Sequence, residues 1–98
     1  MAVVFFLEAL GTATLIYAIN MTGNNTIGIP LMLYIIIVLT GPISGAHVNP
    51  AVTTGVFIIR NIDWRVNIWW VLCYFAAEFC GSMLGVLFAS ISLALTNG

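Results

Sequence analysis

The feature that most constrains this chain is Asn49-Pro50, a helix-start signal set in the middle of an otherwise apolar sequence. An Asn at the N-cap accepts a backbone N–H of the first turn through its side-chain oxygen. Proline at the first helical position forfeits only an N–H that has no partner there. Upstream, Gly41, Pro42, Ser44, Gly45 and Ala46 are small or helix-breaking, and they suit an extended, closely packed approach with free carbonyls. A row of carbonyls leading into a helix N-terminus is a device for handling polar solutes. Inside a bilayer such backbone survives only where protein buries it or it lines a watery cavity.

Composition decides between bilayer and water. Of the 98 residues, 62% are hydrophobic and 5% are charged, against about 25% charged in an average soluble domain. The charged residues are Glu8, Arg60, Asp63, Arg65 and Glu78, with no Lys and a net charge of -1. That leaves no basic patch for nucleic acid. It describes one helical, integral membrane domain. With a single His, no Lys and no nucleophile–base pair, an enzyme is not expected, nor is a cofactor. Cys73 and Cys80 lie seven residues apart in an apolar helical pattern, about 10 Å along the axis. A disulfide needs Cα atoms within about 7 Å, so two free, buried packing thiols are expected, without metal-ligand spacing. No basic region precedes the first apolar run and no convincing cleavage pattern follows it, so the run is read as a retained helix.

The first transmembrane helix is expected over residues 2–19, about 27 Å long. Glu8 within it is expensive in lipid and must turn inward, with Gly11 and Thr12 one turn on. Residues 20–28 form a polar loop holding two triplets of the N-glycosylation acceptor pattern, Asn20-Met21-Thr22 and Asn24-Asn25-Thr26. The second transmembrane helix is expected over 29–43, with Pro30 at its start and Gly41-Pro42 breaking its end. Residues 44–60 read as a loop followed by a half-helix, Pro50 to Arg60, about 16 Å long. That is half a span, so the segment dips to mid-membrane and returns. Both arginines lie in the turn that follows, Arg60-Asn61-Ile62-Asp63-Trp64-Arg65, which the positive-inside rule places in the cytoplasm. The loop 20–28 then lies outside, the N-terminus is cytoplasmic and the C-terminus non-cytoplasmic. Trp64, Trp69 and Trp70 fit an interfacial belt. The third transmembrane helix is expected over 66–95. Ala77, Gly81, Gly85 and Ala89 recur every fourth position along it and form a face for close helix packing.

The string Ile43-Ser44-Gly45-Ala46-His47-Val48-Asn49-Pro50-Ala51-Val52-Thr53 resembles the first Asn-Pro-Ala loop of the aquaporin (major intrinsic protein) family. Eleven contiguous matching positions are specific where a bare Asn-Pro-Ala would be weak. Glu8-Ala9-Leu10-Gly11-Thr12 is similar to the family's first helix, and Tyr74 to Ser82 to its third. The resemblance implies an all-α integral membrane fold of three transmembrane helices plus one re-entrant half-helix, one half of the inverted-repeat fold. It implies that Glu8 accepts hydrogen bonds from the loop backbone. Members commonly have Gln where this chain has Glu78, so that carboxyl needs either donors or a proton, and the sequence leaves both open.

The expected function is a channel for water or small neutral solutes of the glycerol type. Carbonyls of Gly45, Ala46, His47 and Val48 would form an acceptor ladder. Asn49, with Pro50 and Ala51 behind it, would donate a side-chain amide at mid-membrane. Leu15, Leu33 and Val52 would supply an apolar wall. The resemblance also implies that Ile29 lines a constriction where many water-selective members carry an aromatic. His47 lines the vestibule or packs to hold the loop; the residues alone leave both readings open. Arg60 and Arg65 read as headgroup anchors rather than as the family's pore arginine. One repeat lacks its facing half, so the chain is expected to need a C-terminal half or an inverted copy to conduct, and a homotetramer when complete. The other class of function considered is a non-conducting membrane interaction protein that associates with full-length relatives.

Overall fold

This computed structural model describes residues 1–60 and 63–97; Asn61 and Ile62 of the arginine turn, and the side chains of Trp64, Val66 and Asn97, lie outside that description. Four α-helices are present among the described residues: α1 (Ala2–Thr22), α2 (Gly28–Ser44), α3 (Pro50–Arg60) and α4 (Trp64–Asn97). Ala2–Thr22 and Asn67–Thr96 are long and apolar enough to cross a bilayer. At 1.5 Å per residue, the 34 residues of α4 account for the 51 Å long axis of the molecule.

Burial is inverted relative to a soluble domain. Glu8, Thr12, Thr40, Ser44, His47, Thr53, Asn67 and Glu78 are buried, whereas Phe6, Tyr34, Leu39, Ile59, Phe79 and Met83 are exposed. Soluble monomers rarely expose apolar surface on this scale. A chain solvated by lipid has the opposite need, which is to keep polar side chains away from its surroundings.

Local chemistry sets the helix ends, and several differ from what the sequence suggests. α1 does not end at Ile19. The Asn20 amide donates to Ile16 O at 2.9 Å and the Thr22 hydroxyl to Ala18 O at 2.7 Å. Gly23 stops the helix in the left-handed conformation, at φ 62°. The Asn25 side-chain oxygen then accepts the N–H groups of Ile27 and Gly28 and starts α2. Pro30 falls at the third helical position, still among the N–H groups without a helical partner. Gly41-Pro42 does not break α2. Proline removes one bond near a helix end whose last carbonyl is held from another helix: the Tyr74 hydroxyl donates to Ser44 O. The stop is Gly45, at φ 87°, whose N–H reaches Gly41 O.

The helices pack through their small residues. Gly81 faces Ala9 and Thr12, and Gly85 faces Ala13 and Ile16, so α1 and α4 run parallel in close contact. Gly11 faces Ile36 while Glu8 meets Ser44, so α2 runs antiparallel to α1. Thr53 meets Glu78 and Phe57 meets Tyr74, so α3 runs antiparallel to α4 and begins beside its middle. The cysteines are free, as expected, but not buried: Cys73 is half-buried and Cys80 exposed. They lie off the buried stripe of α4, which comprises Asn67, Tyr74, Ala77, Glu78, Gly81, Gly85 and Ala89 among the described residues.

A Cβ at Gly81 would lie 2.9 Å from Thr12 Cβ and clash with the Ala9 carbonyl, whereas one at Gly55 meets nothing within 4 Å. Gly81→Val is expected to lower stability by about 1–3 kcal/mol. Gly55→Ala is expected to raise it by about 0.5–1 kcal/mol through helix propensity. Unfolding of the two variants in lipid–detergent mixtures reads the opposite signs.

Candidate functional site

Between α2 and α3 the backbone takes an unusual course. Gly45 (φ 87°), Ala46 (φ 49°) and Val48 (φ 43°) all adopt left-handed conformations. For a β-branched residue such as Val48 this is an outlier. Such residues cost roughly 1–3 kcal/mol each and persist only where their surroundings over-determine them.

Glu8 supplies that constraint. Its side chain is 0% exposed. Oε1 accepts the Val48 N–H at 2.8 Å; Oε2 accepts the His47 N–H at 3.1 Å and the Ser44 hydroxyl at 2.7 Å. The Ala46 N–H reaches the Ser44 hydroxyl at 3.1 Å. Hydrogen bonds to a charged group contribute about 1.5–3 kcal/mol each, which is on the scale of the backbone strain. Three consecutive N–H groups are thereby turned inward. Among the described residues no donor reaches the carbonyls of Gly45, Ala46, His47 or Val48. The loop thus has a satisfied side facing Glu8 and carbonyls left for something else.

A second carboxyl, Glu78 on α4, closes the site. Its Oε2 accepts the Thr53 hydroxyl at 2.8 Å, and Thr53 Oγ1 lies 2.9 Å from His47 Nδ1. The His47 ring stacks on Tyr74, with centroids 4.3 Å apart and planes at 18°, and meets the edge of Phe57 at 6.3 Å. His47 is 8% exposed, so its ring is packed between these neighbours. One side-chain oxygen or nitrogen from each of Glu8, His47 and Glu78 lies within 4.8 Å of the others. Three donors already occupy the Glu8 oxygens.

At the head of α3, the Asn49 side-chain oxygen accepts the Ala51 N–H at 2.8 Å and its carbonyl accepts the Thr53 N–H at 3.1 Å. The cap leaves the Asn49 amide nitrogen free to donate. Asn49 and Ala51 are exposed and Pro50 is half-buried. Ile29 is not brought to this site. It lies half-buried at the far end of α2, about 22 Å along the axis from Ser44. Leu15 and Leu33 are half-buried and Val52 is exposed. Gly81 and Gly85 act at the α1–α4 seam, away from the loop.

Sequence reasoning gave no role to Ser44, Thr53, Phe57 or Tyr74. The signal was present for two of them. Thr53 follows Asn49 by four residues on one helix face, and Tyr74 precedes Glu78 by four on another, the spacing that brings helix neighbours together.

The family model described as Major intrinsic protein matches residues 1–96. "Putative aquaporin NIP4-1" of Arabidopsis thaliana is 35% identical over 90% of this chain and 33% of its own length. Aquaporin PIP2-4 of Oryza sativa subsp. japonica is 40% identical over 56% of the chain and 18% of its own. The glycerol uptake facilitator protein of Streptococcus pneumoniae is 38% identical over 61% of the chain and 24% of its own. The chain therefore spans about a third or less of the length of these relatives. No solved structure shows significant similarity to it.

Glu8→Gln replaces one of the two acceptor oxygens with an NH2, whose hydrogens then face either the Val48 donor or the His47 and Ser44 donors. A loss of about 3 kcal/mol is expected, because buried donors are left unpaired. Amide hydrogen exchange at His47 and Val48 checks it: the two should exchange far faster in the variant, while Ile36 in α2 changes little.

Proposed function

The chain belongs to the major intrinsic protein family, and from that premise we propose that it forms one wall of a membrane channel for water or small neutral solutes. One observation carries this reading: the N–H groups of residues 46–48 are spent on Ser44 and Glu8, and the carbonyls of residues 45–48 have no donor among the described residues. A row of unpartnered carbonyls offers successive acceptors to a solute passing in single file. Asn49 adds a donor at the end of the row. The N-terminus of α3, carrying about half a positive charge, disfavours cations.

In this reading α1, α2 and α4 are three membrane spans, and α3 is a re-entrant half-helix whose first turn lies at mid-membrane. The support is that α3 is 11 residues long and begins beside the middle of α4. A cytoplasmic position for the turn between α3 and α4 is supported by the exposed Arg60 and Arg65. The loop between α1 and α2 is then non-cytoplasmic, as is the end of α4. A facing half, from a longer chain or an inverted copy, completes the pore, because one row of carbonyls leaves the other side open to lipid. Tetramer assembly follows the family pattern.

Vesicles carrying the completed channel should shrink rapidly in an osmotic step, and Asn49→Asp should abolish that flux. Unchanged rate and selectivity in the variant would remove Asn49 from the path. Rapid conduction by the isolated 98-residue chain as a monomer would refute the need for a second half.

A further inference from the structure

Two buried side-chain atoms among the described residues have no hydrogen-bond partner: the Thr12 hydroxyl and Glu78 Oε1. Glu78 is 1% exposed, so Oε1 meets neither solvent nor donor. The two buried glutamates are therefore unequal. Glu8 accepts three hydrogens, whereas Glu78 accepts one, from Thr53. They lie on facing helices with ligating atoms within 4.8 Å of each other. Arg60 and Arg65 are exposed, and Arg60 stands seven residues beyond Thr53, about 10 Å along α3. The titratable groups facing Glu78 are Glu8 from α1, His47 from the loop and Tyr74 from its own helix; α3 contributes only the Thr53 hydroxyl.

Two anions this close, away from water, repel strongly, and an unpaired anionic oxygen loses its hydration without compensation. The donors of this region are gathered on Glu8, which leaves none for Glu78 Oε1. A proton on Glu78 turns its unpartnered acceptor into a hydroxyl and removes the second charge. We propose that Glu78 is a neutral carboxylic acid with its proton on Oε1, and that in this state it positions the 45–49 loop through Thr53 and His47. Thr53 has one hydrogen and gives it to Glu78 Oε2, so His47 Nδ1 donates across the 2.9 Å contact to Thr53. The chain His47 to Thr53 to Glu78 thus fixes the imidazole tautomer under the loop. Only the consequence for solute passage rests on the channel reading above; the protonation stands apart from it.

Glu8 and Glu78 are the only glutamates among these 98 residues, so labelling glutamate with carbon-13 at the side-chain carboxyl gives two signals. In the full chain in lipid vesicles at neutral pH, one should appear at the carboxylate position. The other should appear at the neutral-acid position, in through-space contact with the Thr53 methyl. Glu78→Gln should remove the neutral signal, keep that of Glu8 and retain the hydrogen on His47 Nδ1, whereas Glu78→Leu should lose that hydrogen. Two carboxylate signals, two neutral signals, or an unchanged His47 nitrogen spectrum in Glu78→Leu would overturn the proposal. A joint shift of both glutamates on addition of zinc ions would overturn it in favour of a bound cation. Osmotic flux reads the channel proposal separately, so the two can fail independently.

Discussion

The Glu8 carboxylate and the N–H groups it collects are the interaction on which the rest of this structure depends. A fully buried anion costs several kcal/mol to remove from water. It is tolerable only if donors replace the lost hydration. Here the replacement comes mostly from backbone, and backbone N–H groups can converge on one point only if the chain curls. The left-handed conformations at Gly45, Ala46 and Val48 are that curl. Strain and burial are each unfavourable alone and become compatible together, because bending the loop is what solvates the charge.

That arrangement requires α1 to lie close to α4, and glycine makes the approach feasible. With Gly81 against Ala9 and Gly85 against Ala13, the two backbones touch where ordinary side chains would hold them apart. Between lipid-solvated helices the drive is close van der Waals contact rather than expulsion of water. The same seam sets the spacing of Glu8 and Glu78, one on each helix. Packing and electrostatics are therefore not separable here. A bulkier seam would widen the gap between the carboxyls and pull the anchor away from the loop.

Much of this was legible in the sequence, for physical reasons. Glu8 in an apolar run has to face inward because lipid offers it nothing, and Asn49-Pro50 combines a side-chain acceptor with a residue that needs no donor. Small residues at every fourth position of α4 mark a face. Other features were not legible. Asn20 and Thr22 extend α1 by bonding back to their own helix, which composition alone reads as loop. Gly41-Pro42 reads as a stop, yet Tyr74 holds the helix end beyond it by a contact from another helix that no local pattern reveals. Cys73 and Cys80 read as buried because they are apolar, although in this chain apolar residues belong on the outside. The stacking of His47 between Tyr74 and Phe57 depends on three separate segments meeting, which periodicity within one segment cannot disclose.

In the proposed channel, the charge state of the carboxyl pair would bear on what the loop can pass. The head of α3 presents about half a positive charge, and dipoles of this kind discourage cations. Glu8 beneath it carries a full negative charge, but three donors stand around its oxygens and direct much of its field into the loop's own N–H groups. A second, poorly solvated charge at Glu78 would not be contained in this way, with one hydroxyl as its only donor among the described residues. Two negative charges would outweigh the helix dipole and make the region attractive to cations. With Glu78 neutral, the remaining charge is bonded internally and the carbonyls are left as weak, uncharged acceptors. In the proposed channel that balance would suit neutral solutes, because weak, uncharged acceptors would admit a hydroxyl group or a water molecule without holding it.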